Sequence, residues 1–76
     1  MMVVRFYNYK HRFVYRDVTI QEVSMEHLMQ IDGIDKNLAE ALLAPNAEYD
    51  DGFGTAVALL TEGECAAMDA EYDDDE

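Results

Sequence analysis

Seventy-six residues carry 17 Asp and Glu against 5 Lys and Arg, a formal net charge of −12, with 50% of positions hydrophobic by type. A chain of this length makes one domain with a small core, which excludes two-domain enzymes, and the acid excess argues against direct nucleic-acid binding, because phosphates are met by Lys and Arg. The longest apolar run, 56–60, is far shorter than the roughly 20 residues of a membrane-spanning helix. The N-terminus has no basic-then-apolar leader pattern, and a single cysteine, Cys65, gives no internal disulfide. The expectation is a soluble, intracellular protein without membrane association.

In chain order, residues 3–9 and 13–20 are rich in β-branched and aromatic types, and the polar stretch Tyr9-Lys10-His11-Arg12 suits a hairpin connection between two antiparallel strands. Strict alternation along the second strand predicts Val14, Arg16, Val18 and Ile20 on one face and Phe13, Tyr15, Asp17 and Thr19 on the other. Aromatics fall on both faces of the hairpin, so one face is expected against helices and the other against a partner. Ser24 is a good N-cap for a short helix that turns Met25, Leu28 and Met29 inward and Glu26, His27 and Gln30 outward. Asp32-Gly33 ends it, and Asp35 caps a second helix over 36–44 with Leu38, Ala41 and Leu42 inward, closed by Pro45. Residues 46–54 read as a loop. Residues 55–60 are ambiguous by periodicity, and their shortness, between Gly54 and the next cap, favours a third strand. Thr61 and Glu64 have capping-box spacing and open a last helix reaching about Tyr72, with Cys65, Met68 and Tyr72 as its core stripe. Residues 73–76 are four acids in a row, a tail with nothing to bury and an expectation of disorder. The predicted fold class is α+β, a single small domain over 1–72 in which a β-hairpin and a short third strand pack against two or three short helices, followed by the acidic tail at 73–76.

Residues able to carry catalysis are nearly absent. Gly52-Phe53-Gly54 is too short for a phosphate loop and lies among acids. Cys65 sits on a core stripe rather than beside a base. His11, His27 and Cys65 lack metal-ligand spacing, and Asp50-Asp51 lacks the ligand alternation and distal Glu of a calcium loop. No enzyme activity, catalytic residue, metal or cofactor is expected.

Residues 28–43, Leu-Met-Gln-Ile-Asp-Gly-Ile-Asp-Lys-Asn-Leu-Ala-Glu-Ala-Leu-Leu, resemble the helix-hairpin-helix family at Ile31, Gly33, Ile34, Ala39 and Leu42. Asp35 stands where that family has the second glycine of its phosphate-holding turn, so the resemblance implies two helices joined by a tight turn without the DNA contact.

Charge is distributed unevenly. Over 1–23 four bases (Arg5, Lys10, Arg12, Arg16) face two acids (Asp17, Glu22), a net +2, whereas over 24–76 fifteen acids face Lys36 alone, a net −14. Ala47-Glu48-Tyr49-Asp50-Asp51 recurs as Ala70-Glu71-Tyr72-Asp73-Asp74, setting a tyrosine in each carboxylate cluster. At about 100° per residue, Glu64 and Glu71 flank one side of the last helix's core stripe and Glu62 and Asp69 the other. A nearly base-free carboxylate series differs from the mixed signs of an ordinary surface and approaches the line charge of duplex DNA, about one per 1.7 Å.

In size, charge and lack of catalytic residues the chain resembles the small acidic phage-type DNA-mimic inhibitors of the anti-CRISPR and anti-restriction class. The resemblance implies a non-catalytic inhibitor that occupies the basic nucleic-acid-binding site of a host defence protein, such as a CRISPR effector or a restriction enzyme, in the cytoplasm of the bacterial host. Its partner-binding residues would be Glu48, Tyr49, Asp50, Asp51, Glu62, Glu64, Asp69, Glu71, Tyr72, Asp73 and Asp74, gathered as one electronegative face with Tyr49 and Tyr72 as anchors. The alternatives are an acidic adaptor or antitoxin-like partner of a basic protein, and an acidic domain from a salt-loving organism whose charge serves solubility.

Overall fold

A computed structural model describes residues 1–72, with side chains as far as Glu71. Strands β1 (Met2–Asn8) and β2 (Phe13–Ile20) form the expected hairpin and are followed by helices α1 (Met25–Met29) and α2 (Lys36–Leu43). Strands β3 (Glu48–Asp50) and β4 (Thr55–Thr61) come next, and helix α3 (Glu62–Tyr72) closes the described chain. The sheet order is β2-β1-β4-β3, with every neighbouring pair antiparallel. The architecture is therefore α+β, a single domain, as expected. Among the described residues no helix is long and apolar enough to cross a membrane.

Side chains alternate along a strand, and β1 is buried on both of its faces. Val4 and Phe6 join Ile20, Val57 and Leu59 beneath Leu28, Ile31, Ile34, Ala39 and Leu42, the residues brought by α1, α2 and the turn between them. Tyr7 joins Ala56 and Ala58 on the opposite face, where Val14, Leu60 and Met68 pack on the cluster. Helices thus cover both sides of the sheet, α1 and α2 on one and α3 on the other. Phe13 and Tyr15 of β2 remain exposed, while on the second face α3 lies against β1 and β4.

The local end signals operate as read. Ser24 Oγ accepts from the His27 N–H, and an Asp35 carboxylate oxygen accepts from the Leu38 N–H. Thr61 and Glu64 form the reciprocal capping box, with Glu64 N–H donating to Thr61 Oγ1 at 3.0 Å and Thr61 N–H to Glu64 Oε1 at 2.8 Å. Ala44 is extended at the end of α2, the conformation that a following proline imposes. Between α1 and α2 the chain reverses through Gly33, at φ +96°, a left-handed value that favours glycine. The tight helix pair implied by the helix-hairpin-helix resemblance is present. Inside α2 the fully buried positions are Ala39 and Leu42, with Leu38 packed at the margin, so Ala39 takes the place expected for Ala41. Met29 of α1 is exposed rather than inward.

Two further expectations are corrected. Residues 46–54 are not wholly a loop, because Glu48, Tyr49 and Asp50 pair with Ala58, Val57 and Ala56 as an edge strand, giving four strands instead of three. The faces of β2 also change phase partway along. Phe6 pairs with Arg16 while Tyr7 pairs with Val14, which leaves Tyr15 as the extra residue of a β-bulge. Tyr15 and Arg16 consequently share the Phe6 side, while Val14 moves to the Tyr7 side, apart from Val18 and Ile20. The expected tail at 73–76 lies outside the described residues.

Candidate acidic interface

The layer formed by α3 is anchored by a buried charge. Arg5, at the middle of β1, is only 3% exposed. Its guanidinium meets Asp17 of β2 in a bidentate pair, Nε to Oδ1 at 2.8 Å and Nη2 to Oδ2 at 2.9 Å, and Asp69 of α3 at 2.9 Å, and it also donates to the Cys65 carbonyl at 3.2 Å. The Asp17 hydrogen bonds are the largest influence on this guanidinium and raise its pKa against the opposing effect of burial, with Asp69 adding to the rise. Sequence reasoning assigned Asp69 to a partner. The structure gives it an internal role, holding α3 on the sheet.

Register decides where the β3 candidates point. Glu48 and Asp50 lie opposite Ala58 and Ala56 and therefore face the α3 side, whereas Tyr49 lies opposite Val57 and faces the other side. Tyr7 O–H donates to the Glu48 carboxylate, and Tyr9 O–H donates to Asp50 Oδ1 at 2.8 Å. Asp50 also accepts from the Gly52 N–H at 2.7 Å, and Asp51 Oδ1 accepts from the N–H groups of Phe53 and Thr55 at 2.7 and 3.1 Å. The Gly52 N–H first, and the Tyr9 phenol second, hold the Asp50 carboxyl below the usual carboxylate value, and the same carboxylate pushes the Tyr9 phenol up.

The repeated pentapeptide adopts two structures. Glu48, Tyr49 and Asp50 form a strand, while Ala70, Glu71 and Tyr72 end a helix. The Tyr72 side chain, Asp73 and Asp74 lie outside the described residues. Glu62, Glu64 and Glu71 are exposed on α3, and Arg12 donates to the Glu71 carbonyl at 3.0 Å. Six of the predicted residues (Glu48, Asp50, Glu62, Glu64, Asp69 and Glu71) thus belong to the α3 layer, without Tyr49 among them.

The expectation of one electronegative face is also corrected. Glu22, Glu26, Asp32, Asp35 and Glu40 are exposed on the segments of the α1 and α2 layer, so carboxylates clothe both helical layers. Five bases stand against 17 acids in the chain. Arg5 is buried, and the Arg16 guanidinium lies 4.8 Å over the Phe6 ring and donates to the Asp32 carbonyl. The remaining ion pair recorded among the described residues, His27 with Glu22, is long at 3.9 Å.

Comparison with protein-family models, curated proteins and solved structures finds no match.

Burial pushes the Cys65 thiol up, Arg5 only partly opposing it, which keeps the sulfur protonated and poorly nucleophilic. Among the described residues no group of three or more His, Cys, Asp and Glu is arranged to hold a metal ion. The residues that sequence reasoning missed are Tyr7, Tyr9 and Arg5, which fix the carboxylates of β3 and α3. The one available signal was the unbroken run of strand-forming types around Arg5 at 3–7, since a strand buried on both faces loses its alternation.

Proposed function

We propose that this protein acts without catalysis, as an acidic ligand that occupies the cationic nucleic-acid-binding cleft of another protein, its carboxylates taking the place of phosphates. The observation that carries the reading is the excess of exposed acid on both helical layers of a body 27 × 22 Å across its two shorter axes. A cleft lined by Lys and Arg around a duplex meets negative charge from more than one side, and charge on both layers suits that geometry better than a single charged face. Complementary fields of this kind accelerate encounter and suppress wrong partners, and salt weakens them. A host defence protein of the CRISPR-effector or restriction-enzyme kind, in the bacterial cytoplasm, is the partner class that the reading implies.

Affinity capture from a bacterial lysate, with the captured protein identified and then challenged with duplex DNA, tests this. The reading expects a basic nucleic-acid-binding protein that duplex DNA elutes. Capture of a protein that DNA does not displace would support the acidic-adaptor alternative instead.

A further inference from the structure

On the side of the sheet away from α3, one residue from each strand contributes to a lateral row of Tyr15, Phe6, Val57 and Tyr49. The register requires it, because Phe6 lies between the Tyr15/Arg16 bulge and Val57, and Val57 lies opposite Tyr49. The row lines a cavity of about 370 Å³, bordered on its helical side by Gly33 and Leu38. Tyr15 and Tyr49 remain 52% and 39% exposed at its rim. This volume is at the lower end of the roughly 300–1,000 Å³ of small-ligand clefts, so it suits one side chain or a small molecule rather than a folded segment.

Two charged groups line the cavity, and they stand at opposite ends because β2 and β3 are opposite edges of the sheet. At the β2 end Arg16 is engaged, stacked on Phe6 and donating to the Asp32 carbonyl at 2.5 Å. At the β3 end Asp51 holds its turn through Oδ1 alone, and among the described residues Oδ2 accepts no hydrogen bond.

We propose that this cavity receives an arginine side chain of the cationic partner, its guanidinium stacked on Tyr49 and paired with Asp51 Oδ2. The inference rests on the functional reading above and names the contact that would give it specificity. Aromatic faces attract guanidinium groups, and Arg16 on Phe6 shows that a ring of this row accepts one. A planar guanidinium both stacks and pairs with a carboxylate, which the ammonium of lysine cannot do equally. A net charge of −12 disfavours an anion, and equally a second copy of the chain.

The test is an amide-resolved NMR titration of the intact protein with acetyl-Gly-Arg-Gly-amide and with its citrulline counterpart, which is isosteric and uncharged. The proposal expects saturable shifts at Gly33, Leu38, Tyr49, Thr55 and Val57, with at least a tenfold weaker response to the citrulline peptide. Asp51→Asn keeps an acceptor for the turn and removes the charge, so its spectrum should stay folded while the arginine response falls about tenfold; Tyr49→Ala should lower it similarly. Gln21→Ala, at an exposed position away from the cavity lining, should leave it unchanged. Shifts spread along α3 in place of the cavity, equal binding of citrulline, or an unaffected Asp51→Asn variant would overturn the proposal. Failure here, with a captured target still released from DNA, removes this inference alone; cavity binding without such release supports it and removes the functional reading.

Discussion

A buried guanidinium in a chain so rich in carboxylates organises the fold around a few pairings. Breaking a hydrogen bond to a charged group costs about 1.5–3 kcal/mol in typical series. Asp17 and Asp69 remain 41% and 60% exposed beside Arg5, so solvent screening reduces the effect and about 1–2 kcal/mol is expected here. Asp17 makes two short bonds, at 2.8 and 2.9 Å, whereas the second contact of Asp69 is 3.4 Å. Asp17→Asn should therefore lower the urea midpoint more than Asp69→Asn, and the reverse order would contradict the assignment of Asp17 as the main partner. The Tyr9–Asp50 bond makes a pH-dependent prediction. The pKa of Asp50 is depressed, so its contribution is present above the ordinary 3.8 and disappears as pH falls through the lowered value. The pKa of Tyr9 is raised, so its contribution is complete below the ordinary 10.0 and disappears as pH rises through the elevated value. NMR titration of the Tyr9 ring should show its midpoint move down towards 10.0 in Asp50→Asn; an unmoved midpoint would show that the bond does not form in solution.

Among the elements, α3 depends most on its ends and its polar anchor. Cys65 is its buried residue, and Met68 is only partly buried, while Ala66, Ala67 and Ala70 face solvent. Its capping box therefore carries unusual weight, and Thr61→Ala should cost about 0.5–2 kcal/mol, read as a loss of helical circular dichroism on warming that precedes the loss of sheet signal. Simultaneous loss would show that α3 and the sheet unfold as one unit. The same element shows what was legible in the sequence. Caps at Ser24, Asp35 and Thr61, and the turn at Gly33, are encoded within four residues of where they act, and all were readable. The bulge at Tyr15 and the strand at Glu48–Asp50 were not, because both depend on a neighbouring strand. Nothing in Glu-Tyr-Asp favours extended pairing by itself, and the Tyr15 phase change exists only in register with Phe6 and Tyr7. Those two features determine which side Tyr49 faces and which rings line the cavity, so that part of the candidate site could not be read from local pattern.

At the scale of the whole molecule, charge composition was legible and its placement was not. Counting acids along the chain gives their asymmetry, but the assignment of Asp69 to Arg5, of Glu48 to Tyr7, and of further acids to the α1 and α2 layer follows from topology. The resulting field should act in two opposite ways with salt. Screening relieves self-repulsion within the folded chain and weakens attraction to a cationic cleft. A domain whose acidity served only adaptation to high salt would show the first effect strongly and the second not at all. The most direct measurement is displacement of a fluorescent duplex from the captured target by this protein, followed by anisotropy at low and raised salt, beside a variant combining Glu26→Gln, Glu40→Gln, Glu62→Gln and Glu71→Gln. The account predicts stoichiometric release of the duplex, weaker as salt rises and weaker again in the variant, whose substitutions lie on both helical layers. A target that retains its duplex at saturating protein, or releases it equally to the variant, would contradict it.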